Sequence, residues 1–426
     1  MTLFGISMVT MLLFGFPFMV VLLGSLILYI TVYMPGFNFL VLVQQILTGV
    51  TPPALVCVPM FILAANIITS GKSAEKLIEM VKSFVGHIPG GLPITANACC
   101  TIFGGVSGST QATVAAIGGT MRPMLLNAGY PSSFTLGLII NASDIAYLIP
   151  PSIGFIVYGV ATSTSIGKLF LAGIIPGILV FFLFSVYSFF YSKVKKIGQY
   201  PKANLNDRLR AVRAGLPVMG FPVVIIGGIY SGIFSPTEAA AASVAYALIL
   251  ETLLYRSLTS KKIIDAFLQT GIITGVVFIL VGAGQALSWM LSFLQIPQQI
   301  MPIVLGADPS ALRVIVVVNI TYFVACMFVD PIVAIYVLSP IFQPYVVSTG
   351  IDTVLLGTMV CLQTAVGSAT PPFGCDIFTA QLIFRRPYFE VIGHTPPFII
   401  ILLIVAVLLV MFPSIALFLP NSAFLG

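Results

Sequence analysis

Four small or hydroxyl-bearing residues, Ser107, Gly108, Ser109 and Thr110, interrupt an apolar segment in the stretch GVSGSTQATVAAIGGTMRP. Serine and threonine are poor residues for a helix interior, and glycine permits a tight turn. Their hydroxyl and backbone oxygens, held deep inside a protein, can coordinate a small cation or bind a polar ligand. Close packing of two helices on small residues is the alternative explanation for this cluster.

Four acidic residues lie in or beside apolar segments: Asp144, Glu238, Asp330 and Asp376. A charge at the centre of a bilayer costs about 2.5–3.5 kcal/mol on insertion scales, so each of them needs a partner or a function. Asp144 and Asp330 are the best candidates for stabilising a bound cation. Asp376 follows a proline pair and is expected at the membrane interface. Glu238, in FSPTEAAAA, is expected to cap a helix that starts at Ser235.

The expected ion is sodium. Neutral oxygen ligands with one nearby carboxylate suit Na⁺, whereas Ca²⁺ and transition metals take more carboxylates, imidazoles or thiolates. The six cysteines form no C-x-x-C pair, and the chain has only two histidines. Acids and histidines are also too sparse for a proton relay across a membrane. The chain has no Walker A sequence and no nucleophile–base constellation, which indicates neither ATP hydrolysis nor an enzyme.

The elements that must position these residues are membrane helices. The chain of 426 residues is 59% hydrophobic and 7% charged, with a mean hydropathy of +1.13. Soluble domains carry about 25% charged residues, so this composition is typical of an integral membrane protein. Long apolar runs without polar–apolar alternation predict a helical bundle of about ten to twelve spans.

The net charge of +6 does not indicate nucleic-acid binding, because the cations are concentrated in loops. One polar connection contains Lys193, Lys195, Lys196, Lys202, Arg208, Arg210 and Arg213. The positive-inside tendency places this connection in the cytoplasm. We therefore expect a multi-pass protein of the bacterial inner membrane, in contact with the lipid bilayer.

A repeated pattern of helix breakers indicates an internal duplication. Each breaker recurs 221 residues later, so that Pro123, Gly129 and the pair Pro150-Pro151 are followed by Pro344, Gly350 and the pair Pro371-Pro372. Prolines inside a span free backbone carbonyls, and irregular backbone at membrane depth survives only beside protein or water. The same offset pairs Ser109 with Asp330. Duplication with breaks at depth favours a secondary transporter.

The duplication predicts two repeats, residues 1–213 and 214–426. Each is expected to contain a re-entrant hairpin followed by a broken helix, at about 90–123 and 131–165 in the first repeat and at about 311–344 and 352–385 in the second. The first hairpin is expected to have limbs of about ten residues, which is ~15 Å of helix or half a bilayer. Its tip would then lie near the midplane.

Several stretches together resemble the large membrane subunit of tripartite ATP-independent periplasmic (TRAP) transporters, over about residues 4 to 420: GGVSGSTQATVAAIGGTM, AGY, IPPSIGFIVYG, GIFSPTEAAAA, MFVDPIVAIYVLSPIFQP and VGSATPPFG. The resemblance implies an all-α polytopic membrane protein, an elevator-type transporter with inverted repeats, two re-entrant helical hairpins and two broken helices. It also implies a small four-helix membrane subunit and a periplasmic substrate-binding protein as partners. The expected activity is sodium-coupled import of an organic acid, such as a C4-dicarboxylate, a sialic acid or another sugar acid.

The matching positions predict the site residues. Sodium is expected at Ser107, Gly108, Ser109, Asp330, Gly367, Thr370 and Pro371. Substrate is expected at Thr110, Asp144, Pro150, Pro151, Ser152, Ser368 and Pro372. No organic cofactor is expected.

Three features depart from the family pattern. Arg122 and Asp144 stand where apolar or small residues are expected; a pair between them is one interpretation, and Arg122 on the surface at the hairpin end is the preferred one. The arginine that sialic-acid members carry after the central helix of the second half is missing from SWMLSFLQIPQQI, which disfavours sialic acid. A symporter that needs no binding protein and a passive channel remain as alternative functions.

Overall fold

A computed structural model describes residues 2–198, 200–306 and 308–423, and every regular element in these ranges is helical. This confirms the predicted all-α class. The helices before the basic connection are α1 (Thr2–Leu13), α2 (Phe18–Tyr33), α3 (Phe39–Val50), α4 (Cys57–Ser70), α5 (Ser73–Val85), α6 (Gly91–Ser107), α7 (Thr110–Asn127), α8 (Ser132–Ser143), α9 (Ile153–Thr162) and α10 (Ile166–Lys195).

The helices after that connection are α11 (Leu205–Gly215), α12 (Gly220–Pro222), α13 (Gly228–Tyr230), α14 (Pro236–Leu248), α15 (Ser260–Phe293), α16 (Ile296–Leu305), α17 (Ala311–Cys326), α18 (Pro331–Ser348), α19 (Thr353–Ser368), α20 (Cys375–Phe384), α21 (Tyr388–Ile392), α22 (Pro396–Met411) and α23 (Ser414–Ala423). Helical turns of 3₁₀ type (Leu216–Met219) and π type (Val223–Gly227) join α11, α12 and α13. A π-helical turn, Ile249–Leu254, extends α14.

Six of the described helical segments are long and apolar enough to cross a bilayer, or seven if the bent pair α22 and α23 is one span. This is fewer than the about ten to twelve spans that hydropathy predicts. The difference arises because glycines and prolines divide other apolar stretches into helices of 10–17 residues. The capping prediction is confirmed, since Ser235 and Glu238 form a reciprocal capping box at the start of α14.

Helices α6 and α7 pack against each other as a hairpin. Gly108 ends α6 with φ +60°, a left-handed conformation that glycine adopts without strain. Ser109 then caps α7 by accepting a hydrogen bond from the backbone of Ala112. The limbs contain 17 and 18 residues, so the prediction of about ten-residue limbs is wrong. The helix continues through Pro123, which lacks only one backbone donor.

The first break lies between α8 and α9. A 3₁₀ turn, Asp144–Tyr147, continues α8, and the chain then passes through Pro150 and Pro151 before Ser152 caps α9. The Ser152 hydroxyl donates to the Tyr147 carbonyl over 2.8 Å and accepts from the backbone N–H of Phe155. The backbone therefore leaves regular helical geometry within the bundle, where the sequence predicts a break.

The second half repeats these elements. The bounds of α7 shifted by 221 residues give those of α18, because 331−110 and 348−127 both equal 221. Helices α17 and α18 pack together, and α19 and α20 flank the second break at Pro371-Pro372. The predicted limit between the repeats, at residues 213 and 214, falls inside α11. Inverted topology, re-entry into the membrane and elevator motion stay predictions.

Each break packs against the hairpin tip of its own half. The backbone N–H of Ile153 donates to the Gly108 carbonyl over 3.2 Å, and in the second half the N–H of Phe373 donates to the Met327 carbonyl over 3.1 Å. The halves are also interleaved, because α7 packs on α20 and α9 packs on α18. Both tips and both breaks are thereby brought to one region.

Candidate functional site

The first hairpin tip is a hydrogen-bonded cluster of hydroxyl groups. The hydroxyls of Ser107 and Thr113 are 3.0 Å apart, and the Ser107 hydroxyl also donates to the Ser109 carbonyl over 3.2 Å. The Ser109 hydroxyl donates to the side-chain oxygen of Gln111 over 3.0 Å. These bonds hold several neutral oxygens together at the end of α6, as the sequence predicts for this tip.

A cavity of about 510 Å³ opens beside this tip. Ser107, Gly108 and Ser109 line it, and Asp330 from the second tip lines it too. Two residues 221 positions apart in sequence, Ser109 and Asp330, therefore share one cavity. Most of the remaining lining residues are aliphatic, and α4 and α15 together contribute the largest share of the wall. The volume is in the range of about 300–1,000 Å³ that is usual for small-molecule sites.

Asp330 combines a structural and an electrostatic role. Its carboxylate caps α18 by accepting a hydrogen bond of 2.9 Å from the backbone N–H of Ile332. It is also the one charged residue among the described residues that line the cavity. A cation or a positively charged group of a ligand would therefore find its counter-charge at this tip.

Asp376 acquires its partners only in the folded protein. Its side chain is fully buried, and its position at the membrane interface stays a prediction. Thr110 donates to one of its carboxyl oxygens and Ser368 to the other, each over 2.7 Å. The first hairpin and the second break are therefore joined through this carboxyl. In the sequence, Asp376 is recognisable only as an acid four residues after a proline pair in an apolar stretch. This pattern does not reveal its hydrogen-bond partners.

Asp144 does not contact Arg122 and does not line the cavity. Arg122 is half-buried; its guanidinium lies 5.4 Å from the ring centroid of Phe384 and donates to the Ser132 hydroxyl over 3.2 Å. Asp144 is 1% exposed and lies in the 3₁₀ turn whose last residue, Tyr147, lines the cavity. The structure thus gives no Arg122–Asp144 pair.

The remaining predicted residues lie near the two tips but do not line the cavity. A Cβ atom at Gly108 would lie 2.7 Å from the Pro151 carbonyl oxygen, and one at Gly367 would lie 2.7 Å from the Phe323 carbonyl oxygen, so both contacts need glycine. Thr370 donates to the Val366 carbonyl over 2.5 Å. Within the described part of the chain, the following predicted residues lie outside the cavity lining: Thr110, Asp144, Pro150, Pro151, Ser152, Gly367, Ser368, Thr370, Pro371 and Pro372.

Other polar residues of the cavity are not predicted by the sequence analysis. Asn66, Thr69, Gln111, Tyr147 and Thr379 all contribute to its lining. The Asn66 amide donates to the Thr270 hydroxyl over 2.9 Å. A polar amide inside the apolar stretch FILAANIIT is a signal of the same kind as the buried acids, and it could have been used. In the described ranges, no three His, Cys, Asp or Glu residues are grouped as a metal site.

Comparison with known proteins agrees with this architecture. A family model described as "Tripartite ATP-independent periplasmic transporter, DctM component" matches residues 5–415. The ectoine/5-hydroxyectoine TRAP transporter large permease protein UehC of Ruegeria pomeroyi is 55% identical over 420 residues, and the ectoine TRAP transporter large permease protein TeaC of Halomonas elongata is 53% identical over 419 residues. Both alignments cover 98% of each chain.

The crystal structure of the Alcanivorax borkumensis YdaH transporter has a similar fold, with a TM-score of 0.63 at 14% identity over 88% of each chain. The family is one of transporter permeases and not of enzymes, and its members are multi-pass proteins of the bacterial inner membrane. Membership implies a small membrane subunit and a periplasmic binding protein as partners. The chain belongs to the DctM family, the large membrane subunits of tripartite ATP-independent periplasmic transporters.

Proposed function

We propose that this permease imports ectoine, or a closely related zwitterion, together with sodium after delivery by a periplasmic binding protein. Two relatives that are more than half identical along almost the whole chain are named as ectoine permeases. The names of these relatives narrow the expected substrate from organic acids in general to a zwitterion. Ectoine is a zwitterion because it carries a cationic amidinium group as well as a carboxylate.

The charge of the cavity is the observation that carries this proposal. Asp330 contributes a carboxylate, and the described lining contains no lysine or arginine. A dicarboxylate would bring two negative charges next to Asp330 without a protein cation to balance them, which is costly away from water. An amidinium group can instead pair with Asp330, and the net-neutral zwitterion adds no charge to the site.

The two tips can divide the recognition of ectoine and sodium. Helices α7 and α18 both begin at the cavity, and the positive ends of their dipoles favour an anionic group such as the substrate carboxylate. The oxygens of Ser107 and Ser109 supply neutral ligands of the kind that sodium prefers. Gly367, Thr370 and Pro371 would serve a second ion at the other break. Alternating access then requires the tips and breaks to move together against the scaffold, as in an elevator.

Uptake by reconstituted vesicles tests this proposal. The permease is purified with its small subunit, and radiolabelled ectoine is supplied on its binding protein under an inward sodium gradient. We expect saturable uptake that stops when potassium replaces sodium and that excess unlabelled succinate does not inhibit. Uptake without the binding protein would favour an independent symporter, non-saturable flux without any gradient would favour a channel, and inhibition by succinate would contradict the zwitterion assignment.

A further inference from the structure

Asp144 is a buried carboxyl group that the proposed transport cycle leaves without a role. It lies in the 3₁₀ turn of the first break, 1% exposed. Both of its carboxyl oxygens are buried without a hydrogen-bond partner. Burial of an unpaired ionised carboxylate is strongly unfavourable, so proteins either neutralise such a group or supply a partner.

The candidate partner is a second carboxyl group. The 3₁₀ turn that contains Asp144 packs against α7 and α19, the two helices whose Thr110 and Ser368 donate hydrogen bonds to Asp376, and the two carboxyl groups interact electrostatically. Two ionised carboxylates cannot bond, because neither carries a hydrogen, and in contact they repel each other. The two oxygens of Asp376 already accept hydrogen bonds from Thr110 and Ser368. If Asp144 carried a proton, its carboxyl group could donate a hydrogen bond to Asp376.

The surroundings do not supply a positive charge. The other titratable groups that interact with this pair are Asp330, Tyr147, Cys100 and Cys375. Each of these four groups is neutral when protonated and negatively charged when deprotonated, so none of them supplies a positive charge. Among the described groups that act on either carboxyl, there is no lysine, arginine or histidine. The protein itself thus leaves two negative charges in contact at full ionisation.

We propose that Asp144 and Asp376 form a proton-binding site, in which Asp144 holds one proton and donates it to Asp376. The proton comes from water and returns to water, and no other bond changes. The pair then carries a single negative charge, stabilised by the hydroxyl donors of Thr110 and Ser368. A proton suits the site better than sodium, because both oxygens of Asp376 are already engaged while both oxygens of Asp144 lack a donor.

The proton would link three structural elements of the molecule. Asp144 belongs to the first break, Thr110 begins the second limb of the first hairpin, and Asp376 and Ser368 flank the second break. Loss of the proton would place two like charges in contact at this junction and weaken it. The site would therefore make transport sensitive to pH. This pH sensitivity rests on the proposed uptake function, whereas binding of the proton to the pair does not depend on that function.

Infrared titration of the purified complex tests the proton directly, without transport. Protein labelled with ¹³C-aspartate is titrated from acidic to alkaline pH in the absence of substrate. We expect a carbonyl band of a protonated aspartic acid that disappears as the pH rises and is absent from both Asp144→Asn and Asp376→Asn. Asp207→Asn, a change in an exposed helix turn, is the matched control and should keep the band.

The titration can overturn the proposal without any variant. Wild-type protein that shows no protonated band at any pH at which it stays folded would exclude the shared proton. A band that persists in Asp144→Asn would assign it to another aspartate. Carboxylate bands that change with sodium instead of pH, and only while Asp144 is present, would make the pair a sodium site and refute the proton.

Vesicle uptake at equal pH on both sides gives the second measurement. At saturating sodium, we expect wild-type ectoine uptake to fall at least tenfold as the proton is removed at alkaline pH. Asp144→Asn keeps a hydrogen-bond donor toward Asp376, so its remaining uptake should no longer vary with pH. An unchanged pH profile in Asp144→Asn would contradict the coupling of the pair to transport. If no variant and no wild-type protein takes up ectoine at any pH, the transport proposal fails while the infrared result still stands.

Discussion

The two hairpin tips have the same architecture and opposite chemistry. Ser109 and Asp330 occupy equivalent positions 221 residues apart, and each caps the helix that follows it, α7 and α18 respectively. A hydroxyl does this on one side of the cavity and a carboxylate on the other. The two halves therefore share a helix start at this position and differ in its charge. Capping alone accepts either residue, so helix stability does not require this difference.

The tips also differ in the residue before the cap. Gly108 has a left-handed φ of +60° and approaches the backbone of the first break, whereas its equivalent, Val329, lies outside the left-handed region. The first tip thus depends on glycine and the second does not. The two tips nevertheless approach their breaks equally closely, with backbone hydrogen bonds of 3.2 Å and 3.1 Å.

Replacing the glycine should give the largest effect. Gly108→Val places a branched side chain in a left-handed conformation, with its Cβ 2.7 Å from the Pro151 oxygen. Strain and overpacking together should cost about 2–5 kcal/mol. We expect a large fall in the melting temperature of the purified complex and loss of ectoine uptake. Val329→Ala, at the equivalent position, should cost only about 1 kcal/mol. Equal losses in the two variants would refute the asymmetry.

Making the second tip resemble the first should give the next largest effect. Asp330→Ser keeps a helix cap but removes the charge from the cavity. A hydrogen bond to a charged group is worth about 1.5–3 kcal/mol, so ectoine uptake at limiting substrate should fall about 10–100-fold. The melting temperature should stay near that of the wild type. Uptake within twofold of the wild type would show that Asp330 does not bind the amidinium.

Local features of this molecule could be predicted from sequence. The 221-residue spacing of prolines and glycines predicts where α8 and α19 break, and the Ser-Pro-Thr-Glu sequence predicts the cap of α14. Proline and glycine act on the backbone of their own neighbours, and so does a capping side chain. The apolar composition predicts the helical class for the same kind of reason.

Contacts between the halves could not be predicted. Thr110 and Asp376 are 266 residues apart, and their hydrogen bond exists because α7 packs on α20. The sequence does not reveal this packing. It shows only that Asp376 is an acid near a break, and an acid at the membrane interface would give the same pattern. The limb lengths of the first hairpin are missed for a related reason, because packing in the bundle stabilises helical turns that serine, glycine and proline content disfavours.

Replacing Ser109, the hydroxyl cap of the first tip, should give the smallest effect. The quantity to measure is the sodium dependence of uptake. Ser109→Ala removes the cap of α7 and one neutral oxygen of the cavity, which costs about 1 kcal/mol. If the first tip binds sodium while Asp330 binds the amidinium, the sodium concentration for half-maximal uptake should rise about fivefold. The ectoine concentration for half-maximal uptake at saturating sodium should hardly change. Ser109→Asn supplies a capping oxygen again and should recover most of the sodium affinity. A change in ectoine dependence without one in sodium dependence would reverse the roles assigned to the two tips, because it would place the substrate at the neutral oxygens and leave the ion to the carboxylate.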